Sequence, residues 1–106
     1  MLEGIKKQFF KDTINELQNI NIMLSVEIVH PNDYDLLIKE VFNITHQISG
    51  TGPMLGFEAT SNLSRKIEKI YSEIKTQHKD LTPSIILQTR RAIVLMIETM
   101  NNELKR

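Results

Sequence analysis

The chain has no cysteine, which excludes disulfides, thiolate metal sites and a cysteine nucleophile and suits a reducing compartment. It has no excess of either charge. Lys plus Arg and Asp plus Glu both total 13, so no global field recruits a polyanion such as nucleic acid or an acidic membrane surface, and electrostatic recognition has to be local. It also lacks long apolar runs, the longest being a few residues against the roughly 20 needed to cross a bilayer. With no signal-peptide pattern at the amino terminus, no membrane insertion is expected and the cytoplasm is the expected location. The chain shows no HExxH-type helix, no glycine-rich phosphate loop after a strand and no serine-centred elbow. Its three histidines stand 16 and 32 residues apart, without acidic partners at metal-ligand spacing. No metal, cofactor or nucleotide site is therefore expected.

What is present is a soluble composition, 41% hydrophobic and 25% charged, without the low hydropathy and high net charge of a disordered chain. A length of 106 residues suits one domain, 1–106, with a modest core. Four segments carry helical periodicity, and no strand alternation, internal repeat or low-complexity tract competes with them. In the first, Phe10, Ile14, Leu17, Leu24 and Ile28 recur at three- and four-residue steps and stop before His30-Pro31, with a middle weakened by Asn19, Ile20, Asn21 and Ile22. Asn32 or Asp33 is the expected N-cap of the second, which runs through Leu37, Val41, Ile44 and Ile48. The stretch Gly50 to Gly56, rich in Gly and Pro, predicts a tight interhelical turn. A third helix restarts near Phe57 with Leu63, Ile67, Ile70 and Ile74 on one face, then yields to the polar stretch Lys75 to Asp80. Thr82-Pro83 opens the fourth, which holds Ile86, Ile93, Ile97, Met100 and Leu104 on one side. Met23, Met54, Met96 and Met100 are expected to fill gaps in the core. Four apolar stripes on short connections predict an all-α, up-down antiparallel four-helix bundle, expected to be a monomer.

Projected at roughly 100° per residue, the second helix sets one histidine apart. Leu37, Val41, Ile44 and Ile48 cluster, with Tyr34 and Thr45 at the edge of the stripe. His46 lies roughly 150° from their centre, on an outward strip with Lys39, Asn43 and Gly50, and Phe42 is roughly 40° away. On the wheel alone such a residue is an ordinary solvated histidine. An aromatic beside an exposed imidazole is compatible with a docking surface, though one exposed apolar residue carries little weight. His30 and His78 read as surface residues in connections.

The string HQISGTGPMLGF from His46 to Phe57, followed by an amphipathic helix containing Arg65-Lys66-Ile67-Glu68, resembles the signature of histidine-containing phosphotransfer (HPt) domains. His46, Gly50, Gly52, Gly56, Phe57 and Glu68 stand in the matching places. Length and helix count resemble the family over the whole chain; the specific resemblance spans residues 46–68. It implies a phosphorelay carrier without its own ATP site. His46 would accept a phosphoryl group from a sensor histidine kinase or a receiver-domain aspartate of a response regulator and pass it to another receiver, which supplies its own metal ion and acidic pocket. It further implies that Glu68 orients the imidazole and that Gly50 leaves room for the receiver to approach. For Glu68 an ordinary solvated carboxylate is the competing reading, and for Gly50 a helix C-cap.

Two positions depart from the resemblance. Where HPt domains usually carry a lysine three residues after the histidine, this chain has Ser49, which can donate a hydrogen bond but brings no charge. Lys39 and Arg65 are candidates to compensate, and Phe42 to contact the partner; each also reads as a plain surface residue. Pro53 replaces a small flexible residue and is expected to stiffen the turn. A bundle that only binds partners, its motif kept as scaffold, is the rival reading. A metal-carboxylate bundle enzyme ranks last, because it needs Glu-x-x-His motifs paired on facing helices and the chain has no such pair of motifs.

Overall fold

A computed structural model describes residues 2–25 and 30–105. Four helices follow in order: α1 (Leu2–Leu24), α2 (Tyr34–Thr51), α3 (Glu58–Lys75) and α4 (Pro83–Leu104), with short 3₁₀ turns at Pro31–Asp33 and Pro53–Leu55. The element pairs in contact are α1 with α2, α2 with α3, α3 with α4, and α4 with α1, so the helices form a ring in which α2 lies diagonally from α4. Side-chain bonds give the directions. Ser61 and Ser64 of α3 bond back to Ile48 and Thr45 of α2, while Tyr71 meets Thr89 and Thr60 meets Glu103 across α3 and α4. Rising numbers on one helix meet falling numbers on the next, which is the up-down antiparallel bundle.

Each helix start has its own chemistry. The Thr82 hydroxyl accepts from the Ile85 amide at 3.2 Å, and Pro83 occupies the first helical position, where no amide is needed. Asp33, one of the two expected residues, is the N-cap of α2, but its side chain makes no capping bond. It is His30 that caps instead, its Nδ1 accepting from the Asn32 amide at 3.1 Å, because Pro31 opens a 3₁₀ turn ahead of the helix and moves the orphan amides upstream. For α3, Phe57 has no side chain able to cap, and the carboxylate of Glu103 arrives from α4, accepting from the Ala59 and Thr60 amides at 3.0 and 2.9 Å.

Leu17, Leu37, Val41, Ile44, Ile48, Ile67, Ile93 and Met96 are buried as their periodicity requires. Ile28 lies outside the described residues. Three expectations need correction. On α3 the inward face is turned by about one residue: Thr60, Ser61, Ser64 and Tyr71 are fully buried beside Ile67, whereas Leu63 and Ile70 are half-buried. Small hydroxyl residues let α2 and α3 approach closely, and Ser61 and Ser64 satisfy themselves on carbonyls of the neighbouring helix at 3.1 and 2.8 Å, so polarity does not push them out. Met54 is 75% exposed, since it rides the outside of the turn between α2 and α3. Thr45 is buried, its hydroxyl returned to the Val41 carbonyl at 2.7 Å.

The Gly50 to Gly56 stretch is also tighter than expected. α2 continues through Gly50 to Thr51, so the bend begins only at Gly52 and Gly50 is not the helix C-cap. The Gly52 amide still donates to Ile48, and its carbonyl accepts from Leu55 and Phe57 at 3.1 and 2.9 Å. A Cβ at Gly52 would collide with the Ser61 hydroxyl and lie 2.5 Å from the Ile48 carbonyl oxygen. Gly56 adopts φ of 90°, a left-handed conformation that reverses the chain into α3. Phe57 is thereby driven into a small second core with Leu55 and Met100, covered by Phe9, Phe10, Ile14 and Leu104.

Candidate functional site

His46 stands on the solvent side of α2, its side chain 71% exposed. Its position follows from the helix period, since burying Val41, Ile44 and Ile48 on one side forces residue 46 outward. The ring is nonetheless held. Its Nδ1 lies 2.7 Å from Oε2 of Glu68, whose side chain is only 22% exposed at the margin between α2 and α3. Phe42, one turn earlier, stacks against the imidazole at 5.7 Å between centroids and 10° between planes. Phe42 is half-buried against the main core, so one face of the histidine rests on an anchored surface.

The carboxylate contact decides the ring chemistry. An ionised carboxylate only accepts, so a neutral imidazole bonded to it through Nδ1 carries its proton there and leaves the Nε2 lone pair free. Nε2 has no protein partner among the described residues. The arrangement is an oriented, solvent-facing nitrogen nucleophile with a base behind it. One turn on, Gly50 is exposed, and a Cβ built there meets nothing within 4 Å, so the space over that side of the imidazole is open.

The remaining candidates are placed less directly. Ser49 is half-buried and donates to the Ser64 hydroxyl at 3.3 Å, which in turn donates to the Thr45 carbonyl. Its proton is therefore directed into the α2–α3 seam. Arg65 is exposed and donates to Asn62 at 2.6 Å, and Lys39 is exposed; neither contacts His46. The sequence reading missed one cation: Lys75, at the end of α3, sets its ammonium 4.1 Å from the centroid of the Phe42 ring. A lysine in the last turn of a helix reads as a dipole-complementing surface charge, and only the α2–α3 register shows that it lies over the aromatic that supports His46.

A family model described as Hpt domain matches residues 4–104 of the chain. The chain belongs to the Hpt domain family. No curated protein and no solved structure matches it. Hpt domains act as phosphotransfer carriers in two-component signalling, work with receiver domains and histidine kinases, and are not kinases with ATP sites of their own. In this Hpt domain no described helix is long and apolar enough to cross a membrane.

Proposed function

We propose that His46 is the phosphoacceptor of this Hpt domain, and that the protein exchanges a phosphoryl group between His46 and receiver-domain aspartates. The observation that carries the reading is the 2.7 Å contact between Nδ1 of His46 and Glu68, which leaves Nε2 open to solvent. In the forward step the Nε2 lone pair attacks phosphorus of an aspartyl phosphate. The Nε2–P bond forms, the bond from phosphorus to the aspartate oxygen breaks, and the aspartate leaves as carboxylate. Positive charge develops on the ring as the bond forms, and Glu68, accepting from Nδ1–H, offsets it in place. Gly50 admits the receiver, Phe42 keeps the ring from swinging, and the receiver brings the acidic pocket and metal ion in which the phosphoryl group is balanced. Ser49, Lys39 and Arg65 are contacts to the phosphoryl group or the partner in this proposal, with Ser49 the weakest because its proton is engaged by Ser64.

The test is incubation with a phosphorylated receiver domain, followed by acid treatment. The wild-type chain should acquire acid-labile phosphate. His46→Gln should acquire none while keeping the helical signal and melting temperature of the parent, since an exposed side chain contributes little to stability. A wild-type chain that binds the receiver but takes up no label would leave the interaction-only bundle as the function. Label persisting on the His46→Gln chain would move the site elsewhere.

A further inference from the structure

The outer face of α4 carries apolar side chains that the bundle does not use. Leu87, Val94 and Leu95 are 46%, 43% and 46% exposed. At roughly 100° per residue they fall on one strip with Arg91 and Glu98, on the side of the helix away from the core. The inward side is fully engaged, with Ile85, Thr89, Ile93, Met96 and Met100 buried. Exposed apolar residues scattered singly are ordinary, but these three share one strip, and the charges among them are ordered. Arg91 stands three residues before Val94 and Glu98 three residues after Leu95. Among the described residues neither has an ion-pair partner within the chain.

That order is symmetric about the point between Val94 and Leu95. We propose that this face is the interface of a homodimer, in which α4 packs antiparallel against α4 of a second copy about a twofold axis passing between those two residues. An isologous contact must be self-complementary, and this strip is. Val94 and Leu95 of the two copies gather at the axis, and Arg91 meets Glu98 of the second copy twice. A parallel pairing would instead set Arg91 against Arg91 and Glu98 against Glu98.

The placement of the strip has a consequence for signalling. Because α4 lies diagonally from α2 in the ring of helices, the dimer leaves the His46 face of each copy open and turned away from the axis. Two partners could dock at once. The dimer and the phosphoacceptor assignment therefore stand or fall separately.

A single helix pair is a small interface, so association is of the transient class. Sedimentation equilibrium from about 10 μM to about 1 mM spans that range. The wild-type chain should shift from monomer to dimer and no further. Leu95→Glu should stay monomeric. Arg91→Glu and Glu98→Arg should each weaken the dimer about tenfold or more, and the double exchange should return it to within about threefold of wild type, because opposite charges again face one another. With no native cysteine, a mixture of Leu87→Cys and Asn102→Cys chains should form a heterodimeric disulfide under mild oxidation, while Leu87→Cys alone should not. All five positions are outside the core, and circular dichroism checks that each variant is folded. A chain that is monomeric throughout the range, a double exchange that fails to restore association, or self-crosslinking of Leu87→Cys would overturn the proposal.

Discussion

The role proposed for His46 sets two demands, since a phosphoacceptor ring has to be exposed to react and yet fixed to react in one geometry. Glu68 and Phe42 fix it from the α3 side and from below, and neither covers Nε2. What this site lacks is a cation one turn along the helix. Ser49→Lys should place an ammonium near the incoming phosphoryl group and raise the rate of transfer from a receiver, read by quenched-flow phosphate counting. Stability should change by no more than about 0.5 kcal/mol, because the Ser49 hydroxyl contributes only a bond of 3.3 Å to Ser64. A slower variant would show that the partner is matched to a neutral residue. Tyr71 offers a second test away from the chemistry. The Thr89 hydroxyl donates to the Ile85 carbonyl at 2.7 Å, so the Tyr71 hydroxyl is the donor in its 2.7 Å bond to Thr89. Burial raises the Tyr71 phenol above its ordinary 10.0. The folded protein then holds that proton where the unfolded chain has released it, so the contribution is intact below about pH 10 and is lost as pH rises through the folded value. Urea unfolding of wild type and Tyr71→Phe at pH 7 and near pH 10.5 should show a cost of about 1 kcal/mol at neutral pH and a smaller alkaline loss in the variant.

At the scale of elements, the connection from α2 to α3 sets the site, because it places Glu68 opposite His46. Two glycines in it have opposite requirements. Gly50 is in the body of α2 with open space where a Cβ would go, so Gly50→Ala should stabilise the domain by about 0.5–1 kcal/mol through helix propensity. Gly50→Phe should fold as well but slow transfer from a receiver, since a large ring would stand over the approach to His46. Gly52→Ala should cost about 1–3 kcal/mol, as its Cβ would press on the Ile48 carbonyl and the Ser61 hydroxyl. Denaturant midpoints of the two alanine variants should move in opposite directions. The sequence pattern identified both glycines but attributed the bend to the whole stretch from Gly50 to Gly56. Periodicity does not say where a helix stops when glycine permits it to continue, and the stop at Gly52 is decided by contact with Ser61 on the next helix.

At the scale of the whole molecule, Glu103 ties the end of α4 to the start of α3. It is 4% exposed, accepts from two amides and the Thr60 hydroxyl, and lies beside Lys6, which reaches the Glu103 carbonyl from α1 at 3.4 Å. Removing it strands the first amides of α3 in the interior. Glu103→Ala should therefore destabilise the bundle by about 2–3 kcal/mol, and Glu103→Gln by less because its amide oxygen still accepts. Both are measured by urea unfolding at neutral pH. His46 should remain competent in whatever fraction is folded, since its support comes from the α2–α3 seam rather than from this end of the bundle.

Four helices, their antiparallel order and the outward place of His46 were legible in the sequence, because a 3.6-residue period and a Thr-Pro start are local properties that each segment carries by itself. The pairing of His46 with Glu68 was reached through resemblance, not through spacing. What only the tertiary structure decided are the features that depend on how two helices register: the inward turn of Tyr71, Ser61 and Ser64, the capping of α3 by Glu103 from α4, and the seat of Lys75 over Phe42. Each joins residues far apart in the chain whose types, read alone, describe ordinary surface positions, and the approach of a neighbouring helix gives them other roles: α2 against α3 for Ser61, Ser64 and Lys75, and α4 against α3 for Tyr71 and Glu103.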